Sequence, residues 1–163
     1  GLGAADCALE ETLKYVKERK AFGKRVFDFQ NTKFKLAELK TKTEVTRSFI
    51  NDCIQKLVAE DLDAATASMA KYWGSQIQGE ILDECVQLHG GYGFMAEYPV
   101  ARMWTDARVQ KIYGGTNEIM KELTRNNKNI DKNSLHEFID KLDVENTIKN
   151  ELKQISPYNY TGI

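Results

Sequence analysis

The sequence predicts an all-α protein: an up-and-down helical bundle followed by a C-terminal helical extension. Three observations lead there. Only two prolines occur, Pro99 and Pro157, so long helices are permitted almost everywhere. Apolar residues recur at three- and four-residue steps through three long stretches. Glycines fall between the helical patterns, at Gly23, Gly90-Gly91 and Gly114-Gly115.

The first helix is expected from Ala4 to Arg19, with Ala5, Ala8, Leu9, Leu13 (with Thr12) and Val16 on one stripe. Gly23 is expected to stop it, and Lys17, Arg19 and Lys20 suit the negative end of its dipole. A second helix, Asn31 to Val58, carries two apolar faces. Phe34, Ala37, Thr41, Val45, Phe49 and Cys53 form one; Leu36, Leu39, Thr43, Thr46, Ile50, Ile54 and Leu57 form the other. Two such faces predict burial between neighbours. A third helix, Leu62 to Leu88, has a seam of Ala67, Ala70, Gly74, Ile77, Ile81, Cys85 and Leu88. Its small residues allow close, shallow crossings. Shorter helices are expected over Tyr98 to Ala107 and from Thr116 to about Asn126. Short loops between such helices give an up-and-down bundle over residues 1–126.

Residues 127–163 form a separate extension. It starts in the polar linker Asn126-Asn127-Lys128-Asn129. Ser134-Leu135-His136-Glu137 then has the capping-box pattern. Leu135, Phe138, Ile139, Leu142, Ile148, Leu152 and Ile155 continue as an amphipathic helix, broken near Asp143. Packing on the bundle or at an oligomer interface is the plain role for it.

The size, 163 residues, is about that of one domain with a sizeable core. A net charge of −1 supplies no field for nucleic acid or an acidic membrane surface. No apolar run approaches the roughly 20 residues that cross a bilayer. Cys7, Cys53 and Cys85 are odd in number and show no metal spacing, which predicts reduced thiols in an intracellular compartment. The opening Gly1-Leu2-Gly3-Ala4-Ala5 reads as the inside of a helix with no cap ahead of it. The chain is therefore expected to be a piece of a larger protein.

Two glycine segments carry the chemistry. Gln87-Leu88-His89-Gly90-Gly91 can bring backbone amides close to a ligand without a Cβ clash, and Gln87 both donates and accepts. The same residues equally suit a glycine helix stop with no ligand. His89, a lone histidine in a turn, is read as structural rather than as a base. Gly114-Gly115-Thr116 precedes a helix, with Thr116 as N-cap, so free amides and a positive dipole end face what lies above them. Arg19, taken alone, is most often a solvated cation at a helix end. Phe22 alone reads as core, and Gln30 as a surface residue.

With Glu18-Arg19-Lys20-Ala21-Phe22-Gly23-Lys24, Phe29-Gln30, Glu97-Tyr98-Pro99 and Asp106-Ala107-Arg108, these segments stand in one order. Together they resemble the C-terminal helical domain of the acyl-CoA dehydrogenases, over roughly Leu2 to Arg125. The resemblance implies FAD as cofactor, held in part by the neighbouring subunit. Arg19 would meet its pyrophosphate, with Phe22, Phe29 and Gln30 close by. Gln87, Leu88, His89, Gly90 and Gly91 would meet its ADP half. Thr116, Asn117 and Glu118 would be further cofactor contacts, although relatives often carry Gln where Glu118 stands. Gly115 would lie beside the acyl thioester.

Gly114 departs from the pattern. Many members carry their catalytic Glu there, and glycine cannot take a proton. The long-chain and isovaleryl branches supply that Glu from the first helix instead, which here falls before Gly1; Glu10 and Glu11 lie two to three turns too far along. No catalytic residue is therefore expected within the chain, nor activity from it alone. Leu36-Ala37-Glu38-Leu39-Lys40-Thr41 and Met120-Lys121-Glu122-Leu123 look most like the long-chain branch. The resemblance further implies oxidation of saturated acyl-CoA to trans-2-enoyl-CoA, electrons passed to an electron-transfer flavoprotein, and a dimer of dimers. The setting would be the mitochondrial matrix in a eukaryote or the cytoplasm in a bacterium. The rivals are an acyl-CoA oxidase and a helical interaction module without catalysis.

Overall fold

The computed structural model describes residues 1–126, 136–137 and 139–154. Helix α1 spans Leu2–Glu18 and buries Ala5, Ala8, Leu9, Thr12 and Val16, so Thr12 rather than Leu13 completes the predicted stripe. Gly23 does not end this helix. Arg19 is already extended (φ −65°, ψ 128°), and a two-stranded hairpin follows, β1 (Lys20–Ala21) against β2 (Lys24–Arg25). Its two turn residues, Phe22 (φ 51°) and Gly23 (φ 79°), both take positive φ, as a type I′ connection requires. Gly23 serves that turn, and the fold carries a small antiparallel element that helical periodicity cannot register.

A 3-10 turn at Val26–Asp28 leads into α2, Gln30–Val58. Neither of its two apolar faces is wholly covered: Leu39, Thr43 and Thr46 of one and Cys53 of the other are buried, while Ile54 and Leu57 of the first, Phe34 and Val45 of the second, and Val58 are exposed. Within this chain α2 is thus not sandwiched between neighbours as its two faces predicted. Asp63 caps α3 (Ala64–His89) by accepting from the Thr66 amide at 2.9 Å. Pro99, at the first turn where it costs no helical bond, opens α4, Pro99–Arg108. Helix α5 covers Asn117–Asn126, and the Thr116 hydroxyl accepts from the Ile119 amide at 3.4 Å, the predicted N-cap.

Helix α3 is the axis of the bundle, packing against α1, α2, α4 and α5. That position explains why its buried set is wider than one seam: Ala65, Ser68, Ser75, Gln78 and Leu82 join Ile77, Ile81 and Cys85. The core runs through Ala5, Ala8, Leu9, Leu39, Ile77, Ile81, Leu82, Cys85, Val100 and Ala107. Each fully buried Leu, Ile or Val there contributes on the order of 2 kcal/mol. A Cβ on Gly74 would stand 3.9 Å from Ile50 Cδ1, an ordinary contact, so α2 and α3 meet there through the Ile50 side chain. Ion pairs from Arg47 to Asp6 (2.5 Å) and Lys35 to Glu84 (2.9 Å) link α2 to α1 and α3, each contributing at most about 1 kcal/mol at such exposed sites.

In the extension, helical residues around Ile139 give way to bends at 142–144, and α6 follows over Asn146–Gln154. The break predicted near Asp143 is there. Lys153 pairs with Asp140 at 2.6 Å across it. Ser134 of the capping box, with Leu135, Phe138 and Ile155, lies outside the described residues. Among those described, no helix is long and apolar enough to cross a membrane.

Candidate functional site

Where α1 ends and α3 ends, the two meet. Arg19, the first residue beyond α1, and the glycine turn beyond α3 line one cleft of about 570 Å³, together with Tyr15, Val26, Tyr92 and Met95. Gly90 forms the C-cap of α3 with φ 61° and ψ −140°, a conformation that L side chains avoid. Nothing stands within 4 Å of where a Cβ would project from Gly90 or Gly91, so the space over the turn is open. Gly93 differs: a Cβ there would collide with the Val86 carbonyl oxygen, so the chain folds directly back on α3.

The His89 ring is not offered to this cleft. It is buried, its Nδ1 meets the Cys85 carbonyl at 2.8 Å, and it stacks on Tyr15 with centroids 4.2 Å apart. Those contacts hold the ring within the fold. The Tyr15 hydroxyl donates to the His89 carbonyl at 3.1 Å, and burial pushes its phenol up from the ordinary value, with Arg19 opposing. The Arg19 guanidinium lies 5.4 Å over the Tyr92 ring and forms no ion pair among the described residues. Its charge therefore remains available to an anion. Gln87 is exposed beside it.

Phe22, Phe29 and Gln30 do not line this cleft. Phe22 is 95% exposed at the hairpin tip and meets Phe29 edge-on at 6.4 Å, while Lys24 lies 4.2 Å over the Phe29 ring. Gln30 is exposed at the start of α2. The aromatic pair forms a separate projecting surface, and an apolar side chain so exposed is one that folding within this chain leaves unpaired.

The second glycine turn is built differently. Gly114 (φ 63°) and Gly115 (φ 90°) are both left-handed. Lys71 Nζ on α3 donates to the Gly115 carbonyl at 2.5 Å and to Asn117 Oδ1 at 3.0 Å. The same Oδ1 accepts from the Ser75 hydroxyl at 3.0 Å, and the Asn117 amide donates to the Tyr72 carbonyl at 3.3 Å. Asn117 is only 4% exposed, and its polar atoms are all engaged in fastening α5 to α3. Of the three residues at the start of α5, Thr116 caps and Asn117 anchors. The exposed Glu118 carboxyl is held below its ordinary value by its own amide and the Thr116 hydroxyl.

Gly114 also lines a mainly apolar cavity of about 370 Å³, shared with Gly1, Leu2, Ile50, Lys71 and Tyr113. Among the described residues, no carboxylate lines it. Four residues of these two regions escaped sequence reading. Lys71, Ser75, Tyr15 and Tyr92 act through partners that are distant in the chain or, for Arg19 and Tyr92, brought together only by folding. Periodicity on a single helix carries no signal of such pairings.

Comparison with known proteins agrees with this geometry. The family described as acyl-CoA dehydrogenase, C-terminal domain, matches residues 1–127. The long-chain specific acyl-CoA dehydrogenase, mitochondrial, of Mus musculus is 57% identical over 122 residues, which is 75% of this chain and 28% of that protein. The caffeyl-CoA reductase-Etf complex subunit CarC of Acetobacterium woodii is 43% identical over 72% of this chain and 31% of its own length. Among solved structures, an acyl-CoA dehydrogenase of Geobacillus kaustophilus superposes with a TM-score of 0.75 at 42% identity, covering 77% of this chain and 33% of that one. Butyryl-CoA dehydrogenase of Megasphaera elsdenii gives 0.74 at 38%, with the same two coverages. The chain thus spans about a third or less of the length of these relatives.

Proposed function

The chain belongs to the acyl-CoA dehydrogenase family, as its C-terminal domain, and on that premise we propose that it serves an FAD-dependent enzyme. That enzyme oxidises saturated, long-chain acyl-CoA to trans-2-enoyl-CoA. The observation that carries the reading is the convergence of Arg19 and the Gln87–Gly91 turn on one cleft. A guanidinium that forms no ion pair among the described residues faces a backbone whose missing Cβ atoms leave open room, which fits the pyrophosphate and adenosine of FAD. Gln87, Leu88, Gly90 and Gly91 contact the ADP half there, with His89 contributing backbone alone. Phe22, Phe29 and Gln30 meet the cofactor through the projecting hairpin surface. Thr116 and Glu118 approach it from the start of α5, and Asn117 supports them from below.

FAD, when bound, supplies the two-electron acceptor that this chain lacks. Oxidation also needs a base for the α proton. We place that carboxylate on the N-terminal continuation of α1, because Gly1 and Leu2 share the cavity of Gly114, beside which Gly115 adjoins the thioester. The exposed apolar side chains of α2, Phe34 and Val45 among them, are covered in a dimer of dimers. Reduced enzyme passes its electrons to an electron-transfer flavoprotein. The compartment is the mitochondrial matrix in a eukaryote, as the names of the long-chain relatives support, and the cytoplasm in a bacterium.

The test is turnover of a saturated long-chain acyl-CoA by the whole protein, with a dye acceptor and separately with oxygen. Dye-coupled turnover without oxygen uptake is expected. Oxygen-coupled turnover would make it an oxidase, and a folded protein inactive with both would make it an interaction module. Changing the α1-proximal Glu to Gln should nearly abolish the rate, and adding Gly114→Glu should restore part of it. Recovery stays partial because a base displaced by about 1 Å loses on the order of a hundredfold.

A further inference from the structure

Tyr15 is bonded to both edges of the cleft. Its carbonyl accepts from the Arg19 amide at 2.8 Å, and its hydroxyl donates to the His89 carbonyl at 3.1 Å. Its ring stacks on His89 at 4.2 Å and meets Tyr98 edge-on at 6.2 Å. Tyr98 lies 5.3 Å from Tyr92, and Tyr92 carries the Arg19 guanidinium at 5.4 Å. Contacts therefore run from the guanidinium round to the glycine turn and back to Arg19 through the backbone of α1. We propose that Tyr15 is a positioning residue that sets the separation between Arg19 and the Gly90–Gly91 backbone before a ligand arrives.

The inference rests on the assignment of this cleft to the ADP half of FAD. Its physical content is preorganisation. A turn fixed at one end only would have to be ordered on binding, and that cost would subtract from affinity. The aromatic ring fills the space under the turn in any case; the hydroxyl is the part that ties turn to helix.

Tyr15→Phe deletes that hydroxyl and keeps the ring. The apo form of the whole protein is titrated with FAD by flavin fluorescence, with ADP by competition, and with riboflavin, which has the flavin and neither phosphate of the ADP half. Thermal midpoints check the fold. Tyr15→Phe is expected to weaken FAD and ADP by about five- to tenfold, the worth of one hydrogen bond, and to leave riboflavin unchanged. Tyr92→Leu, which removes the surface under Arg19, should weaken FAD and ADP in the same selective way. Unchanged FAD and ADP affinity in Tyr15→Phe, or equal losses for FAD and riboflavin, would overturn the inference. Arg19→Ala separates the two levels. If it weakens ADP while Tyr15→Phe does not, only the positioning role fails; if it too has no effect, the cleft is not the ADP site.

Discussion

The two glycine turns look alike in sequence and are used in opposite ways. At Gly90-Gly91 the His89 side chain beside the turn is buried and locked, and the backbone is left facing open space next to an arginine that forms no ion pair among the described residues. At Gly114-Gly115 the backbone itself is engaged: the Gly115 carbonyl is held by Lys71, and Asn117 fastens the following helix. The first turn displays polar groups to a ligand, and the second satisfies them internally to shape an apolar cavity. Glycine gives the chain access to left-handed backbone in both places. What the turn then does depends on which neighbours take up its hydrogen bonds.

The largest effect should come from the fold-back beneath the first turn. Gly93→Ala drives a Cβ into backbone, which has no flexible end to yield, and should cost about 3 kcal/mol or more in urea unfolding. A loss under 1 kcal/mol would mean that this turn is looser than described. At the second turn, Asn117→Ala leaves Lys71 and Ser75 without their shared acceptor. The expected cost is about 2–3 kcal/mol by the same measurement, and a neutral result would break the contrast between the turns.

The foundation of the first turn should also be sensitive to alkali. Burial pushes the Cys85 thiol from 9.0 up to about 11, so the folded state holds that proton more tightly than the unfolded chain. This contribution is complete below pH 9 and lost as pH rises towards 11. On the order of 1–2 kcal/mol should disappear over that window, and Cys85→Ala should remove the pH dependence, though lowering stability overall. Unfolding midpoints from pH 8 to 10.5 in the two proteins give the answer. A related check is thiol titration: Cys7, exposed, should react at once, and Cys53 and Cys85 only after unfolding.

Much of this was legible in the sequence, for identifiable reasons. The stripe of α1, the Thr116 cap and the break near Asp143 are local patterns, and local patterns are what periodicity and capping rules read. The hairpin after Arg19 was not legible, because its strands are two residues long and its first turn position is a phenylalanine in a conformation glycine or asparagine normally takes. The two faces of α2 predict burial between neighbours, whereas within this chain Phe34 and Val45 of one and Ile54 and Leu57 of the other are exposed. A sequence pattern reports that a face is apolar without saying which chain covers it. The site divides along the same line. Arg19 and the glycines were found from motif order. Tyr15 and Lys71 were not, because their partners lie 74 and 44 residues away.

The most direct test of the contrast pairs Gly90→Ala with Gly114→Ala. Both glycines have positive φ and open space where a Cβ would go, so each substitution should cost about 1–3 kcal/mol of stability, from backbone strain and not from collision. Only the first places its methyl group over the proposed ADP site. Calorimetric titration of the apo whole protein with ADP should therefore show at least a tenfold loss of affinity in Gly90→Ala and a change within about twofold in Gly114→Ala. Equal ADP affinities in the two variants would contradict the account.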